Sequence, residues 1–124
     1  MQSSRRRRIL VVDDSTLYLR LLQTALEAEG YEVDTAANGT LALAKIEASP
    51  PELVLLDVIM PEMNGIEVTQ RIRQNNRLPH IPILLITGYE EVNVQEGLNI
   101  GADDFIRKPI NFDRFITRIK EILS

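Results

Sequence analysis

The sequence predicts an α/β fold in which five parallel strands alternate with five helices in a doubly wound sheet. Short continuous apolar runs recur along the chain at residues 9–12, 53–56, 83–86 and 105–106, and helical patterns separate them. Such runs are typical of strands buried on both faces, which occur in parallel sheets covered by helices. Right-handed crossovers would place the helices on both faces of that sheet.

The first strand, residues 9–12, precedes a helix that Ser15 can cap. Gly30 is expected to end this helix. Its apolar stripe is predicted to consist of Leu17, Leu21, Leu22, Ala25 and Leu26.

Glu32–Ala36 is predicted to be a short second strand, polar enough for a sheet edge. Asn38 can cap the next helix, which ends at the Ser-Pro-Pro sequence of residues 49–51. The apolar residues of this helix are Leu41, Ala42, Ala44 and Ile46.

The third strand ends at Asp57, and residues 60–65 form a loop rich in turn-forming residues. The helix after this loop pairs Val68 with Ile72. Residues 75–82, with two prolines, then return the chain to the fourth strand.

The fourth helix, around residues 90–100, is the weakest, because Gly97 lies inside it at a cost of about 1 kcal/mol relative to Ala. Val94 and Leu98 share its apolar face. The last helix is better specified, with Asn111 as its cap. Its apolar side consists of Phe112, Phe115, Ile116, Ile119, Ile122 and Leu123.

Composition limits the class of protein. The chain has 124 residues, enough for one domain, with 44% hydrophobic and 26% charged residues. No apolar run approaches the ~20 residues of a membrane span, and no secretory pattern follows Met1. The absence of cysteine excludes disulfides and thiolate metal sites. We therefore expect a cytoplasmic protein with no membrane partner.

The net charge of −4 conceals an asymmetry. Four arginines, residues 5–8, carry part of the positive charge, so the rest of the chain sums to −8. We expect residues 1–8 to form a solvated basic arm and residues 9–124 to form the folded domain. An acidic body of this kind argues against direct nucleic-acid binding.

Reactive side chains follow the ends of the predicted strands. In open parallel sheets ligands bind beyond the carboxyl ends of the strands, so Asp13, Asp14, Asp57, Thr87 and Lys108 are expected to meet there. Three carboxylates repel one another unless protons or a cation compensate them. Oxygen ligands without His or Cys favour a hard divalent ion, and an incomplete carboxylate set that leaves room for water and phosphate suits Mg²⁺ better than Ca²⁺, with Mn²⁺ as an alternative ion. Such a set suits phosphoryl transfer, in which a carboxylate can be the nucleophile.

Taken singly, these residues have simpler interpretations. An Asp-Asp pair after a strand is most often a turn or a helix cap, Thr87 alone would be a strand-end threonine, and Lys108 alone a solvated lysine. Asp103 and Asp104 are an equally acidic pair, but they precede a strand, so we assign them to a turn at the opposite end of the sheet. His80, between two prolines, is expected to face solvent.

Four segments in order strengthen the functional interpretation: LVVDD at residues 10–14, LLDVIMPEMNG at 55–65, LIT at 85–87 and GADDFIRKP at 101–109. Together they resemble the receiver domain of bacterial two-component response regulators, in particular its single-domain chemotaxis type. The resemblance covers residues 9–123. It implies the flavodoxin-like receiver fold with strand order 2-1-3-4-5.

The resemblance implies that Asp57 is the phosphoacceptor, with a sensor histidine kinase or a histidine phosphotransfer protein as donor. Asp13 and Asp14 would hold Mg²⁺ together with Asp57 and the backbone carbonyl of Ile59. Lys108 would pair with a phosphoryl oxygen, and its bond to Pro109 would be cis.

The same resemblance implies a switch. Thr87 would donate to the phosphoryl group, and Phe105 would follow it from an outward to an inward position. The surface of helix 4, strand 5 and helix 5 would then change for a downstream protein target, and phosphorylation could also produce a homodimer. Ile59 and Tyr89 would flank the phosphate, and we expect their bulk to restrict attacking water.

The expected class is a signalling domain that promotes its own phosphotransfer and dephosphorylation without being an enzyme. Two alternatives stay open: an aspartate-nucleophile phosphatase of the haloacid dehalogenase type, and a receiver fold that acts as an unphosphorylated docking module. Phosphatases of this type carry an Asp-x-Asp motif at the end of the first strand. Residues 13–15 of this chain read Asp-Asp-Ser and do not match that motif. With no output domain after Leu123, we expect either a stand-alone receiver or a piece of a longer regulator.

Overall fold

The computed structural model describes residues 6–88 and 94–124. Within these residues, five strands alternate with five helices. In chain order they are β1 (Arg8–Val12), α1 (Thr16–Ala28), β2 (Glu32–Ala36), α2 (Gly39–Ala48), β3 (Leu53–Asp57), α3 (Gly65–Gln74), β4 (Ile83–Thr87), α4 (Val94–Ile100), β5 (Asp104–Arg107) and α5 (Phe112–Leu123). The part of helix 4 predicted at residues 90–93 lies outside the described residues.

The strands form one parallel sheet in the order β2-β1-β3-β4-β5, which confirms the predicted topology and the edge position of β2. The pairing register determines how the carboxyl ends of neighbouring strands align. Val12 is paired with Leu56, and Asp57 with Ile86. The residues that follow β1, β3 and β4 therefore emerge side by side at the carboxyl edge of the sheet.

Two apolar layers cover the sheet, one on each face. Strand side chains alternate between them: Leu10 and Val12 pack with α2 and α3, whereas Ile9 and Val11 pack with α1 and α5. Burial on both faces explains why the strand sequences are continuously apolar. The interiors of β1, β3 and β4 are thus packed on both faces, which sets where the polar strand ends lie.

Side-chain caps begin the helices where the sequence predicts them. Ser15, Asn38 and Asn111 each accept a hydrogen bond from a backbone N–H in the first turn of α1, α2 and α5. A fourth cap was not predicted: Asn64 and Glu67 form a reciprocal capping box at the start of α3. This cap ends the loop that follows Asp57.

The apolar stripe predicted for α1 is wrong in part. Leu22 and Leu26 are buried, but Leu17 and Leu21 are 67% and 45% exposed. A residue turns by about 100° around a helix relative to its neighbour, so the face centred on Leu22 and Leu26 turns Leu17 and Leu21 away from the sheet. The same holds in α2, where Leu41 is 41% exposed.

Two further details differ from the sequence-based expectations. Arg8, assigned to the basic arm, is the first residue of β1, and its guanidinium donates to the carbonyl of Ser49 at 3.0 Å. Gly97, which weakens α4 by propensity, has a packing role, since a Cβ atom there would lie 2.5 Å from Leu85 Cδ1 and 2.8 Å from Ile66 Cδ1.

Among residues 6–88 and 94–124, no helix is long and apolar enough to cross a membrane.

Candidate functional site

Three carboxylates converge at the carboxyl edge of the sheet. Asp13 follows β1, Asp57 ends the neighbouring β3, and Asp14 lies beside them. One carboxylate oxygen from each falls within 4.8 Å of the others. Asp13 and Asp57 are only 1% and 4% exposed, whereas Asp14 is exposed. Two buried negative charges at this separation need compensation.

Lys108 supplies part of that compensation. Its Nζ atom lies 3.4 Å from Asp57 Oδ1 and 3.5 Å from Asp13 Oδ2. The residue follows β5, and its backbone N–H donates to the carbonyl of Thr87 at 2.7 Å, which fixes where the side chain departs. The Lys108–Pro109 peptide bond is cis. Residues from three strand ends thus share one charged cluster.

The pKa shifts in the cluster have clear physical causes. Burial raises the pKa of Asp13, and this effect exceeds the lowering by the Ser15 N–H and by Lys108. For Lys108, burial by itself would lower the pKa, but the charges of Asp57 and Asp13 outweigh it, so the pKa is raised. The lysine therefore carries its charge at neutral pH.

The first turn of α1 holds Asp13 and also reaches Lys108. The backbone N–H of Ser15 donates to Asp13 Oδ1 at 2.9 Å, and Ser15 Oγ accepts from the N–H of Tyr18 at 3.2 Å. The ring centre of Tyr18 lies 4.3 Å from Lys108 Nζ. Tyr18 carries no signal of this contact in the sequence, because its partner comes from the other end of the chain.

Gly65, at the end of the loop that follows Asp57, packs closely against the backbone of Asp57 and Val58. Gly65 donates its N–H to the carbonyl of Val58 at 2.8 Å. A Cβ atom at Gly65 would overlap the carbonyl oxygen of Asp57 and lie 3.0 Å from Val58 Cα. Only glycine fits at this approach, so Gly65 supports the position of Asp57.

The remaining predicted site residues surround the cluster. Thr87 is buried at the end of β4, and its hydroxyl donates to the carbonyl of Gly88 at 3.3 Å. Ile59, two residues after Asp57, is 58% exposed. Phe105 on β5 is half-buried beneath the guanidinium of Arg107. Tyr89 lies outside the described residues.

The acidic pair at Asp103 and Asp104 lies at the opposite end of the sheet, as predicted. Asp103 has a structural role beyond a turn: it accepts from the N–H of Ile83 at 2.8 Å and from Arg73 at 3.1 Å. Asp104 begins β5 and pairs with Arg118. The His80 side chain is 71% exposed, which confirms its expected position in solvent.

A doubly wound sheet with a carboxylate and lysine cluster at its carboxyl edge defines a class of α/β domain built for phosphoryl chemistry. Residues 9–120 match the family model of the response regulator receiver domain, and the chain belongs to this family. The match confirms the resemblance found in the sequence. It gives no support to the haloacid dehalogenase alternative.

Individual relatives agree with this assignment. The chain is 43% identical over 118 residues to the alkaline phosphatase synthesis transcriptional regulatory protein PhoP of Bacillus subtilis, covering 94% of this chain and 48% of that protein. It is 34% identical to the polar-differentiation response regulator DivK of Brucella anthropi, covering 94% and 95%. The chain therefore spans about half of the first relative and nearly all of the second.

A solved structure shows the same architecture. The chemotaxis protein CheY4 of Vibrio cholerae superposes with a TM-score of 0.87 at 32% identity, and the match covers 95% of this chain and 99% of that one. The fold and the family are thus supported by sequence and by structure. The protein is a receiver domain of the response regulators of two-component signalling.

Proposed function

We propose that Asp57 is the phosphoacceptor and that its donor is a phosphohistidine on a sensor histidine kinase or a histidine phosphotransfer protein. One observation carries the proposal: the buried Asp57 carboxylate lies within 3.4 Å of the Lys108 ammonium and inside the carboxylate cluster. A carboxylate can act as the nucleophile of phosphoryl transfer when its surroundings neutralise the charge that develops.

Asp57 suits this role better than its two neighbours. It ends β3, the central strand, so Asp13 flanks it on one side and the end of β4 on the other. Asp13 Oδ1 already accepts the Ser15 N–H at 2.9 Å, which ties that carboxylate to the start of α1. Asp14 is exposed, and no lysine contact holds it within the described residues.

In the transfer step, one oxygen of the Asp57 carboxylate attacks phosphorus as the phosphorus–nitrogen bond of the donor breaks. The donor nitrogen keeps the electron pair, and an aspartyl phosphate forms. Lys108 then pairs with a phosphoryl oxygen, and the Thr87 hydroxyl turns to donate to another. The protein mainly positions groups and balances charge, as phosphoryl transfer requires.

The donor set fits a divalent cation. Three carboxylates and one ammonium carry a formal charge of −2, and all the ligand atoms are oxygen. Asp13, Asp14, Asp57 and the backbone carbonyl of Ile59 would hold Mg²⁺, or Mn²⁺ in its place. The ion, when bound, neutralises charge on the phosphoryl oxygens.

We further propose that phosphorylation changes the surface formed by α4, β5 and α5 through Thr87 and Phe105, and that a downstream protein binds there. A homodimer formed on phosphorylation and a cytoplasmic location belong to the same proposal. Ile59 and Tyr89 would control how fast water removes the phosphoryl group, a step the domain itself promotes. Such a change is a shift between two pre-existing states.

The test is intact mass after incubation with Mg²⁺ and acetyl phosphate. We expect one added phosphate that is stable in acid and labile in base. Asp57→Asn should abolish it, whereas Asp34→Asn, at an exposed carboxylate on β2, should not. A wild type that takes no phosphate while a control receiver is modified would contradict the proposal and favour a docking module.

A further inference from the structure

The ring of Tyr18 lies against the Lys108 ammonium, whose nitrogen is 4.3 Å from the ring centre. We propose that Tyr18 is a positioning residue, which holds Lys108 where the phosphoryl oxygen arrives. This inference rests on the proposed function of Asp57. The contact between Tyr18 and Lys108 does not depend on that function, because the 4.3 Å separation of Lys108 Nζ from the ring centre is a property of the fold.

Among residues 6–88 and 94–124, the Lys108 ammonium lies close to two carboxylates and one aromatic ring. Its two carboxylate contacts, at 3.4 Å to Asp57 and 3.5 Å to Asp13, are longer than a strong charge-assisted hydrogen bond. The Lys108 side chain is 22% exposed, so one side could turn toward water. A tyrosine ring within about 6 Å of a cation attracts it electrostatically. The ring therefore favours the inward orientation of the lysine.

The ring itself is held in place. Tyr18 lies in the first turn of α1, where its backbone N–H donates to Ser15 Oγ at 3.2 Å. Ser15 in turn donates its N–H to Asp13. The ring is half-buried and packs against the apolar layer shared by α1 and α5. One helix turn thus fixes both Asp13 and the ring that faces Lys108.

The simpler interpretation is that Tyr18 fills space at the edge of the core. Tyr31 provides a comparison, because it is also half-buried against the same layer. It follows α1 at the other end of that helix, away from the carboxylate cluster. A space-filling role predicts similar consequences for both tyrosines, whereas a positioning role predicts consequences for the site at Tyr18 alone.

Pre-organisation of the ammonium should accelerate phosphoryl transfer. A lysine has three donors on a flexible four-carbon stem, so an unconstrained Lys108 would sample orientations that miss the phosphoryl oxygen. A cation–π contact at a partly exposed site corresponds to a factor of about two to five. We expect a rate effect of that size from removal of the ring.

The experiment compares Tyr18→Leu, Tyr18→Phe and Tyr31→Leu in the full chain. Leucine keeps the apolar contact and removes the ring face, while phenylalanine keeps the face. The first readout is the NMR shift of the Lys108 ε-methylene protons, which the ring current of Tyr18 moves upfield. The chain has three lysines, so Lys45 and Lys120 serve as internal references. The second readout is the rate of phosphorylation by acetyl phosphate with Mg²⁺.

We expect Tyr18→Leu to abolish the upfield shift and to slow phosphorylation about two- to fivefold. Tyr18→Phe should retain the shift and the rate, and Tyr31→Leu should change neither. An unchanged rate in Tyr18→Leu would overturn the proposal, as would an equal loss in Tyr18→Phe. If the wild type takes no phosphate at all, the function proposed for Asp57 fails, while the shift still tests the contact.

Discussion

The guanidinium carbon of Arg107 lies 5.3 Å from the centre of the Phe105 ring. The two residues are two positions apart on β5 and so point to the same side of the strand. The cation stabilises the ring orientation seen in this structure. Because Phe105 is the proposed aromatic switch, this contact biases the switch before any phosphate is bound.

Replacing Arg107 should therefore shift the Phe105 equilibrium. We expect Arg107→Gln to shift the equilibrium constant against this ring orientation about two- to fivefold, the range of an exposed cation–π contact, while Arg107→Lys retains most of the contact. Fluorine NMR of 4-fluorophenylalanine-labelled protein would measure the change. The chain has three phenylalanines, so Phe112 and Phe115 provide unperturbed reference signals. An unchanged Phe105 signal in Arg107→Gln would contradict the prediction.

Ile59 should slow the loss of the phosphoryl group. Its side chain is 58% exposed beside Asp57, where it can exclude an attacking water. We expect Ile59→Asn to raise the dephosphorylation rate at least threefold, about 0.7 kcal/mol in activation free energy. The decay of phosphorylated protein after removal of the donor measures this rate. Ile59→Val, which keeps an apolar branched side chain, should decay like the wild type, and equal rates in all three would disprove the idea.

Asp13 is expected to reduce stability in the absence of metal. Its pKa is raised in the folded state by burial, so the folded protein binds a proton at Asp13 more readily than the unfolded chain does. Stability should then rise as pH falls from neutrality through that raised pKa toward the ordinary pKa of an aspartate. Asp13→Asn should be more stable than wild type at pH 7 in metal-free buffer, because the amide has no charge to bury.

Urea unfolding in metal-free buffer at several pH values would test this. The advantage of Asp13→Asn should shrink as the pH falls, because the wild-type carboxylate becomes neutral too. Added Mg²⁺ should shift the balance toward the wild type: at ten times its Kd it stabilises the wild type by about 1.4 kcal/mol, and the variant less. A constant difference between the two proteins at all pH values would rule out burial of the charge as the cause.

Gly65 should be intolerant of any side chain. A Cβ atom there overlaps the backbone carbonyl of Asp57, which cannot move without displacing β3. We expect Gly65→Ala to cost about 3 kcal/mol of unfolding free energy and to slow phosphorylation. Gly97→Ala is the matched comparison, since it meets only the ends of two side chains and should cost less. Equal costs in thermal or urea unfolding would show that the backbone contact is not decisive.

Leu17 and Leu21 should matter for a protein donor and not for a small one. Both are exposed on α1, whose first turn adjoins the carboxylate cluster. Their joint replacement by alanine should change stability by less than about 0.5 kcal/mol each and leave the acetyl phosphate rate unchanged. Transfer from a phosphorylated histidine phosphotransfer protein that serves the wild type should fall about tenfold, or about 1.4 kcal/mol.

Leu41→Ala is the control for the leucine pair, because Leu41 is similarly exposed but lies on α2. It should affect neither donor. If the pair of α1 substitutions also leaves protein-to-protein transfer unchanged, the exposed leucines do not contribute to donor binding.

Much of the fold and of the cluster could be predicted because the relevant signals are local. A buried strand is continuously apolar, a cap is one residue, and parallel strand ends meet at one edge, so Asp13, Asp57 and Lys108 could be brought together from sequence. The positions that escaped prediction depend on partners distant in the chain. Tyr18 faces a lysine 90 residues away, and Gly65 faces the backbone of another strand.

The buried face of a helix was also hard to predict from the sequence. The leucines of α1 fill more than one side of the helix, and sequence alone does not show which side meets the sheet. Leu22 and Leu26 are buried while Leu17 and Leu21 are exposed. Gly97 was interpreted from helix propensity alone, which describes only how much a glycine destabilises α4. The close approach of Leu85 and Ile66, visible only in the structure, explains why a glycine is found there.

The separation of the apolar layers from the strand ends has an evolutionary consequence. The interiors of the strands hold the two layers together, whereas the reactive groups lie at the strand ends and the exposed leucines on helix surfaces. A substitution on a helix surface can therefore change the exposed face of the domain without touching the carboxylate cluster or the core. Duplicated copies of the gene that diverge at such positions would keep the same chemical unit behind different surfaces.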